Sequence, residues 1–475
     1  MPPSLALLLS LVFMVSLIWR DSRQQPKPSA AVWIPCIWLA ILGSRAVSQW
    51  LDPATSQSGD DLLEGSPLDA IVYLALIAGG CLVLWRRRLA LSDLFRSNVW
   101  LTVFFVYCAI SVLWSDLPVV AFKRWFKGLG DPVMVLVLLT DVAPAKAFET
   151  VIRRCAYFHV PLSIVLIKYY PHLGRSYSEW TGAAYYRGVA LNRNMLGYFL
   201  LVYGLFFLCA LLGKGAMKRR PARWLDFVVA LIFLSMIAWL FQVSDSKTPL
   251  MALLVGGVVI LGLRFSVVRR RFGTYMVLAL LIFGVLQLSF NLTESVVVGA
   301  GRDTSLTGRT DLWRSVLRMA VDPLIGAGFE SFWLGDRLKK LWAEYYFKPT
   351  QAHNGYIEVY LNLGWIGLIL VGGVLCAAYR TVLQRLVRSS DPRSGHVSAV
   401  VFATFGIAYL SAYVLYNITE GTLRGLNFLF VIFLVIAIDC VRVRGRNRRW
   451  RAHSLPHADG VTPRPLSACH AMSSR

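Results

Sequence analysis

Apolar residues in this chain neither recur at the spacing of an amphipathic helix nor alternate as in a strand. They come in runs of 15 to 20 residues that follow one another from Ser4 to Cys440. Runs that are apolar all round suit helices facing lipid or one another, whereas a membrane-spanning barrel would alternate with period two. The pattern predicts an all-α polytopic membrane protein. Spans fall near 4–19, 31–48, 69–85, 99–114, 128–141, 155–170, 195–212, 225–243, 248–263, 274–290, 356–378, 399–418 and 425–440. That makes twelve to thirteen transmembrane helices, since several runs are shorter than the ~20 residues a spanning helix needs. The first run lacks a basic segment ahead of it and is followed by Arg20, Arg23 and Lys27, so it reads as a retained anchor with its amino terminus outside.

The polar breaks set the orientation. Positive charge is dense at 86–88, at Arg153 and Arg154, and at 214–223, 264–271, 380–388 and 442–451. Thirteen spans with the amino terminus outside put all of these in the cytoplasm, as the positive-inside rule requires. The same parity places the acidic segment with Asp60, Asp61 and Glu64 outside, together with a long extracytoplasmic loop over 291–352. The expected organisation is a transmembrane domain over 1–440, that loop, and a basic, disordered cytoplasmic tail over 441–475 that touches anionic lipid.

Composition changes this picture little. A net charge of +23 would fit nucleic acid, but the Lys and Arg residues sit in short connections between apolar runs, where orientation accounts for them. The eight cysteines fall mostly within spans, and no Cys/His spacing suggests a metal. Neither a fixed-period repeat nor an inverted pair of broken helices is present to argue for a secondary transporter.

The informative charges are those that break the positive-inside rule. Residues 115–127 carry Lys123, Arg124 and Lys127 among Phe122, Trp125 and Phe126, an interfacial stretch that either anchors in headgroups or holds the diphosphate of a lipid-linked substrate. Residues 169–194 mix Arg175, Trp180, Tyr185, Tyr186, Arg187, Arg193 and Asn194, side chains that suit sugar faces and phosphates but also form ordinary membrane-interface belts. In the long loop, Thr310 can cap a short helix over 311–320, with Leu312, Val316 and Leu317 as its apolar stripe and Pro323 ending it. Arg309 stands at its start, where anions are favoured. Asn354, Glu358 and Asn362 recur every four residues and stack on one helix face running into the membrane, costly unless they line a polar cavity. His353 lies at the rim of that stripe, where a neutral imidazole can take a proton from a hydroxyl.

The run Thr307-Gly308-Arg309-Thr310-Asp311-Leu312-Trp313, then Pro323-Leu324-Ile325-Gly326-Ala327-Gly328, then Ala352-His353-Asn354-Gly355-Tyr356-Ile357-Glu358 with Gly364 and Gly367, resembles the O-antigen ligase and polymerase superfamily, in particular its exopolysaccharide polymerisation branch. Trp33-Ile34-Pro35, Gly43-Ser44-Arg45 and Ser48-Gln49-Trp50-Leu51 extend the likeness toward the amino terminus. The chain departs from that family at Asn192-Arg193-Asn194, where relatives often have His-Lys-Asn; the positive charge is kept and the histidine is not.

The resemblance implies a glycosyltransferase of the C class in the bacterial cytoplasmic membrane, its active site facing the periplasm. It would use undecaprenyl-diphosphate-linked oligosaccharide without a metal or other cofactor, alongside a chain-length regulator and a flippase. No Asp-x-Asp motif or nucleotide-binding fold argues otherwise. The expected catalytic residues are His353, Arg309 and Glu358, with Glu358 orienting His353 or binding a sugar hydroxyl. Arg193, Arg124, Lys123, Arg187, Asn194 and Asn354 are expected to bind diphosphate or sugar. A polymerase, a ligase that moves a finished glycan to lipid A core, and a transporter of lipid-linked sugar remain the alternatives; charges at the outer rim rather than at mid-span weigh against the last.

Overall fold

The computed structural model describes residues 1–24, 27–52, 66–177, 184–212, 221–276, 278, 309–389 and 397–440. The acidic segment with Asp60, Asp61 and Glu64, most of the span expected at 274–290, the first part of the long loop and the tail over 441–475 lie outside the described residues, as does Trp180.

The chain is an all-α polytopic membrane protein whose described part holds one small sheet, an antiparallel pair of Arg175–Tyr177 with Ala184–Tyr186. Six helices among the described residues are long and apolar enough to cross a bilayer: Pro3–Ser22, Pro67–Arg86, Pro144–Tyr169, Arg193–Leu212, Trp224–Ser244 and Gly355–Leu386. Leu91–Ser97 and Val99–Trp114 form a seventh if counted together, bent by 101° at their junction. Of the thirteen runs expected, the one at 274–290 lies mostly outside the described residues, and each of the others holds an apolar helix, several of them short. Ala30–Leu42, Lys247–Gly262, Val400–Tyr416 and Phe428–Ala437 are apolar helices of 10–17 residues. At 1.5 Å per residue, ten residues reach roughly 15 Å, half a hydrocarbon core. Every residue of Phe428–Ala437 is buried, so this apolar run is packed inside the bundle rather than in lipid.

Burial separates two meanings of an all-apolar run. In Pro67–Arg86 only 6% of the apolar window is buried, and the helix faces lipid; in Pro144–Tyr169 the figure is 78%, and the helix is the bundle's centre. That central helix carries its polar side chains into ion pairs at one end. Arg153 meets Asp226 at 3.1 Å, Arg20 meets the same oxygen at 2.9 Å, and the Tyr157 hydroxyl donates to Asp21 at 2.7 Å. Nearby segments are tied by Arg87 on the fully buried Asp141 at 3.1 Å, and by Asp439 N–H donating to Asn98 at 2.8 Å. Each of these contacts joins segments that the charge pattern places on one side of the membrane.

At the opposite end the long loop is fastened to a break in a helix. Gly355–Ser389 is interrupted at Gly364, which has φ 63° and ψ −162°. The freed backbone groups pair with the loop: Trp365 N–H donates to Pro323 O at 2.9 Å, Ala327 N–H to Leu361 O at 3.0 Å, and Gly328 N–H to Asn362 O at 2.9 Å. Only glycine allows so close a lay-down. A Cβ on Gly364 would stand 2.2 Å from Leu324 O, and one on Gly326 (φ 70°) would stand 2.4 Å from Asn362 C. The motif 323–328 is thus a backbone splint rather than an anion loop.

Gly364→Ala is expected to cost more than the ~1–3 kcal/mol of left-handed strain alone, because the clash is with backbone. Gly372→Ala, in the same helix with nothing within 4 Å of its added Cβ, serves as the control and should be neutral or stabilising. Thermal unfolding in detergent separates the two; equal midpoints would show that the break tolerates a side chain.

Candidate active site

The described remainder of the long loop folds as two amphipathic helices, Arg309–Arg318 and Gly335–Glu344, joined by the 323–328 splint. The first begins at Arg309, so Thr310 lies in its first turn rather than at its cap. Leu312 and Val316 are buried, but Leu317 is exposed and does not belong to the stripe. Trp313 Nε1–H donates to Ala352 O at 2.7 Å and holds the helix beside the His353 segment.

What gathers the polar residues of this face is a carboxylate in the short connection between the last two apolar helices. Glu420 is 3% exposed. Its Oε1 accepts from Arg309 Nη2 at 3.1 Å and from Asn194 Nδ2 at 3.2 Å, and its Oε2 stands 3.2 Å from His353 Nδ1. Arg309 also donates to Thr419 O. Four separate stretches of sequence therefore meet at one side chain. The pairing with a carboxylate assigns the His353 proton to Nδ1 and leaves Nε2 as the acceptor, on an imidazole that is 28% exposed. His353 also takes a left-handed backbone, φ 52°, a conformation that costs about 1–3 kcal/mol and that surrounding contacts must hold.

The Asn354, Glu358 and Asn362 stripe is real but turned toward the loop. Asn354 Oδ1 accepts from Tyr356 N–H at 2.9 Å and Ile357 N–H at 3.1 Å, capping the helix. Asn362 Oδ1 accepts from Ser331 N–H at 2.8 Å and Phe332 N–H at 3.0 Å. Glu358 accepts from Trp333 Nε1–H at 2.9 Å and from Ala352 N–H. The carboxylate that His353 meets is Glu420, not Glu358.

A cavity of about 90 Å³ lies between the loop and this helix, with Arg124, Glu330, Trp333, Glu358, Asn362 and Arg424 among its lining residues. Gly421 also lines it, next in sequence to Glu420, so the cavity opens beside the His353 cluster although His353 and Arg309 are not in its wall. Arg124 donates to Glu330 O at 2.7 Å, while Phe122 and Phe126 of the same helix, Pro118–Gly128, are exposed toward lipid. Burial pushes the Glu330 carboxyl up from its ordinary range, against the pull of Arg124, Arg424 and the Gly425 N–H, and burial likewise lowers Arg124.

The other expected binding residues are spread around this centre. Arg193 lies 4.9 Å over the Tyr185 ring. Arg187 donates to Leu173 O at 3.2 Å, with burial lowering its pKa. Lys123 is exposed. Among the described residues no group of three His, Cys, Asp or Glu side chains is placed to hold a metal.

Glu420 and Arg424 were not singled out by the sequence reading. Their signal was available: the connection between the last two apolar runs falls outside by the span count, and Arg424 breaks the positive-inside rule as Arg124 does.

The fold and this cluster define a multi-pass helical membrane protein with a buried carboxylate, an oriented histidine and several arginines at one end of the bundle. Residues 231–372 match the family model described as O-antigen ligase, a segment that contains Arg309, His353 and Glu358 and ends before Glu420. The chain is 26% identical over 400 residues to the exopolysaccharide production protein ExoQ of Rhizobium meliloti, covering 81% of this chain and 85% of that one. A Rickettsia conorii protein provisionally named a polysaccharide ligase is 21% identical over 241 residues, 47% of this chain and 57% of the relative. The resemblance drawn from the motifs is thereby borne out. These matches support a function of the polysaccharide ligase or polymerase type.

Asn354→Ala should lower stability by about 1 kcal/mol through the lost cap, with Asn354→Asp retaining most of it. A thermal-shift comparison decides: an unchanged midpoint for the alanine variant would mean that the residue serves the substrate rather than the helix.

Proposed function

We propose that this chain joins saccharide repeat units carried on undecaprenyl diphosphate into a polysaccharide, at the outer face of a bacterial cytoplasmic membrane. The observation that carries the reading is the His353–Glu420 pair with Arg309 and Asn194 on the same carboxylate. An acceptor hydroxyl gives its proton to His353 Nε2 as its oxygen attacks the anomeric carbon of the donor. The bond from that carbon to the diphosphate oxygen breaks, and undecaprenyl diphosphate leaves with the electron pair. Glu420 orients the imidazole and stabilises the imidazolium that forms.

Arginines receive the leaving diphosphate, since they stay charged and bind phosphate oxygens in pairs. Arg309 shares its charge with Glu420, so Arg424, Arg124 and Arg193 carry more of this work than their places in the sequence suggested. Trp333, with Glu358 in the adjoining cavity wall, offers a sugar an aromatic face and a carboxylate. The reaction needs no metal on this reading. The ExoQ likeness favours polymerase, while the family description and the Rickettsia relative favour the second reading, a ligase, which differs only in the acceptor.

With purified protein and a lipid-linked repeat unit, His353→Ala and Arg309→Ala should abolish chain lengthening, and Glu420→Gln should slow it about 10–100-fold with the fold retained. Near-normal turnover in both alanine variants would sink the assignment. Activity should survive chelation, and its loss would overturn the metal-free route. In cells, loss of polymer with surviving single repeats identifies a polymerase; loss of glycan from lipid A core alone identifies a ligase.

A further inference from the structure

A second polar cavity, of about 200 Å³, lies at the other end of the bundle. Its lining includes Arg96 and Asn98 from one side, Arg380, Thr381 and Gln384 from the other, and Asp439. Trp365, just past the break, and Arg380 are separated by roughly 22 Å of uninterrupted helix, and His353 lies beyond the break, so this cavity is remote from His353. The reading of its function does not depend on the glycosyl-transfer chemistry.

Two features distinguish it from a surface that is merely basic. First, Arg96 and Arg380 come from different helices yet face one cavity, and among the described residues neither meets a carboxylate within ion-pair distance. The neighbouring Arg385 is different, because it donates to Ile436 O at 2.9 Å and to Ile438 O, closing the end of the last helix. Asp439, the acidic residue of the lining, has its backbone tied to Asn98. Second, the wall on one side is a short helix set steeply across the span that follows it. Leu91–Ser97 is bent 101° from the following span, and it exposes Leu91 and Phe95 beside the exposed Trp100 at the junction. That arrangement sets exposed apolar side chains next to a cationic, hydrogen-bonding recess, the pairing that an interfacial lipid site requires.

We propose that this cavity binds the phosphodiester headgroup of an anionic phospholipid in the leaflet opposite the His353 site. Arg96 and Arg380 take the phosphate oxygens, Asn98, Thr381 and Gln384 supply hydrogen bonds, and the acyl chains lie along Leu91, Phe95 and Trp100. Basic recesses between spans hold anionic headgroups by these contacts, each cation adding to the selectivity. A lipid seated there bridges the short helix to the long helix that carries Glu358, and so stabilises the frame of the site.

The full chain in nanodiscs made from equal parts of phosphatidylglycerol and phosphatidylcholine tests this, with tightly retained lipid measured by mass spectrometry after mild delipidation. Wild type should retain phosphatidylglycerol over phosphatidylcholine by a factor on the order of ten. The Arg96→Gln/Arg380→Gln double variant should lose that preference, whereas Arg270→Gln/Arg271→Gln, on exposed basic residues elsewhere, should keep it. Ala377→Phe fills the recess while leaving both arginines in place, and should also lose the preference. Retention of the preference in either the double variant or Ala377→Phe, with monodisperse folded protein, overturns the proposal. So does displacement of the lipid by inorganic phosphate at equal potency, which would mean that a free anion is the ligand.

Discussion

The arrangement around His353 depends on a carboxylate that cannot be left alone. Glu420 is almost wholly buried, and an uncompensated charge at such a position costs several kcal/mol. Arg309 supplies the counter-charge, and Asn194 and His353 fill the remaining lone pairs. The need to satisfy one side chain thus fixes where the loop helix Arg309–Arg318, the start of Arg193–Leu212 and the His353 turn meet. Removing a partner would strand the others, so residues far apart in sequence are coupled through one contact. It also explains how His353 is kept in a left-handed backbone: Trp313 holds the preceding carbonyl, Glu358 holds the preceding N–H, and Glu420 holds the ring.

That hub would have no fixed position without the splint of 323–328 against the Gly364 break. A helix interrupted inside a membrane exposes backbone groups that lipid cannot satisfy, and such breaks survive only where protein meets them. Here the loop supplies the partners, and Asn362 adds two more bonds from its side chain to Ser331 and Phe332. The same contacts turn Phe329, Glu330 and Trp333 into the cavity wall, which makes the break part of the site rather than a defect in a span.

Much of this was legible in the sequence. The all-α membrane class followed from apolar runs, and three of the segments singled out in the sequence supply Arg309, Asn194 and His353, which the fold brings together on Glu420. Which runs meet lipid did not follow, because a run such as 425–440 reads the same whether it faces acyl chains or other helices; Phe428–Ala437 is a ten-residue helix buried throughout. The i, i+4 stripe of Asn354, Glu358 and Asn362 was visible, but periodicity gives the face and not what covers it. Which acid meets His353 was not readable either, since Glu420 lies 67 residues away and only tertiary packing joins them. Glu358, five residues from His353, was the natural choice by sequence and is held elsewhere.

Charge balance at the site bears on the proposed chemistry. Arg124, Arg193, Arg309 and Arg424 stand against Glu330, Glu358 and Glu420, so the formal excess is small, and a dianionic leaving group would find little net attraction. Burial alters that count. It pushes the Glu330 carboxyl upward, favouring its neutral form, and an incoming diphosphate would push it further because like charges disfavour ionisation. A neutral Glu330 would leave the charges of Arg124 and Arg424 less offset, whereas Arg124 keeps its bond to the Glu330 carbonyl in either state. On the proposed route the direction of that shift favours an anionic donor in the cavity, while the Arg309–Glu420 pair, neutral as a pair, keeps His353 in place.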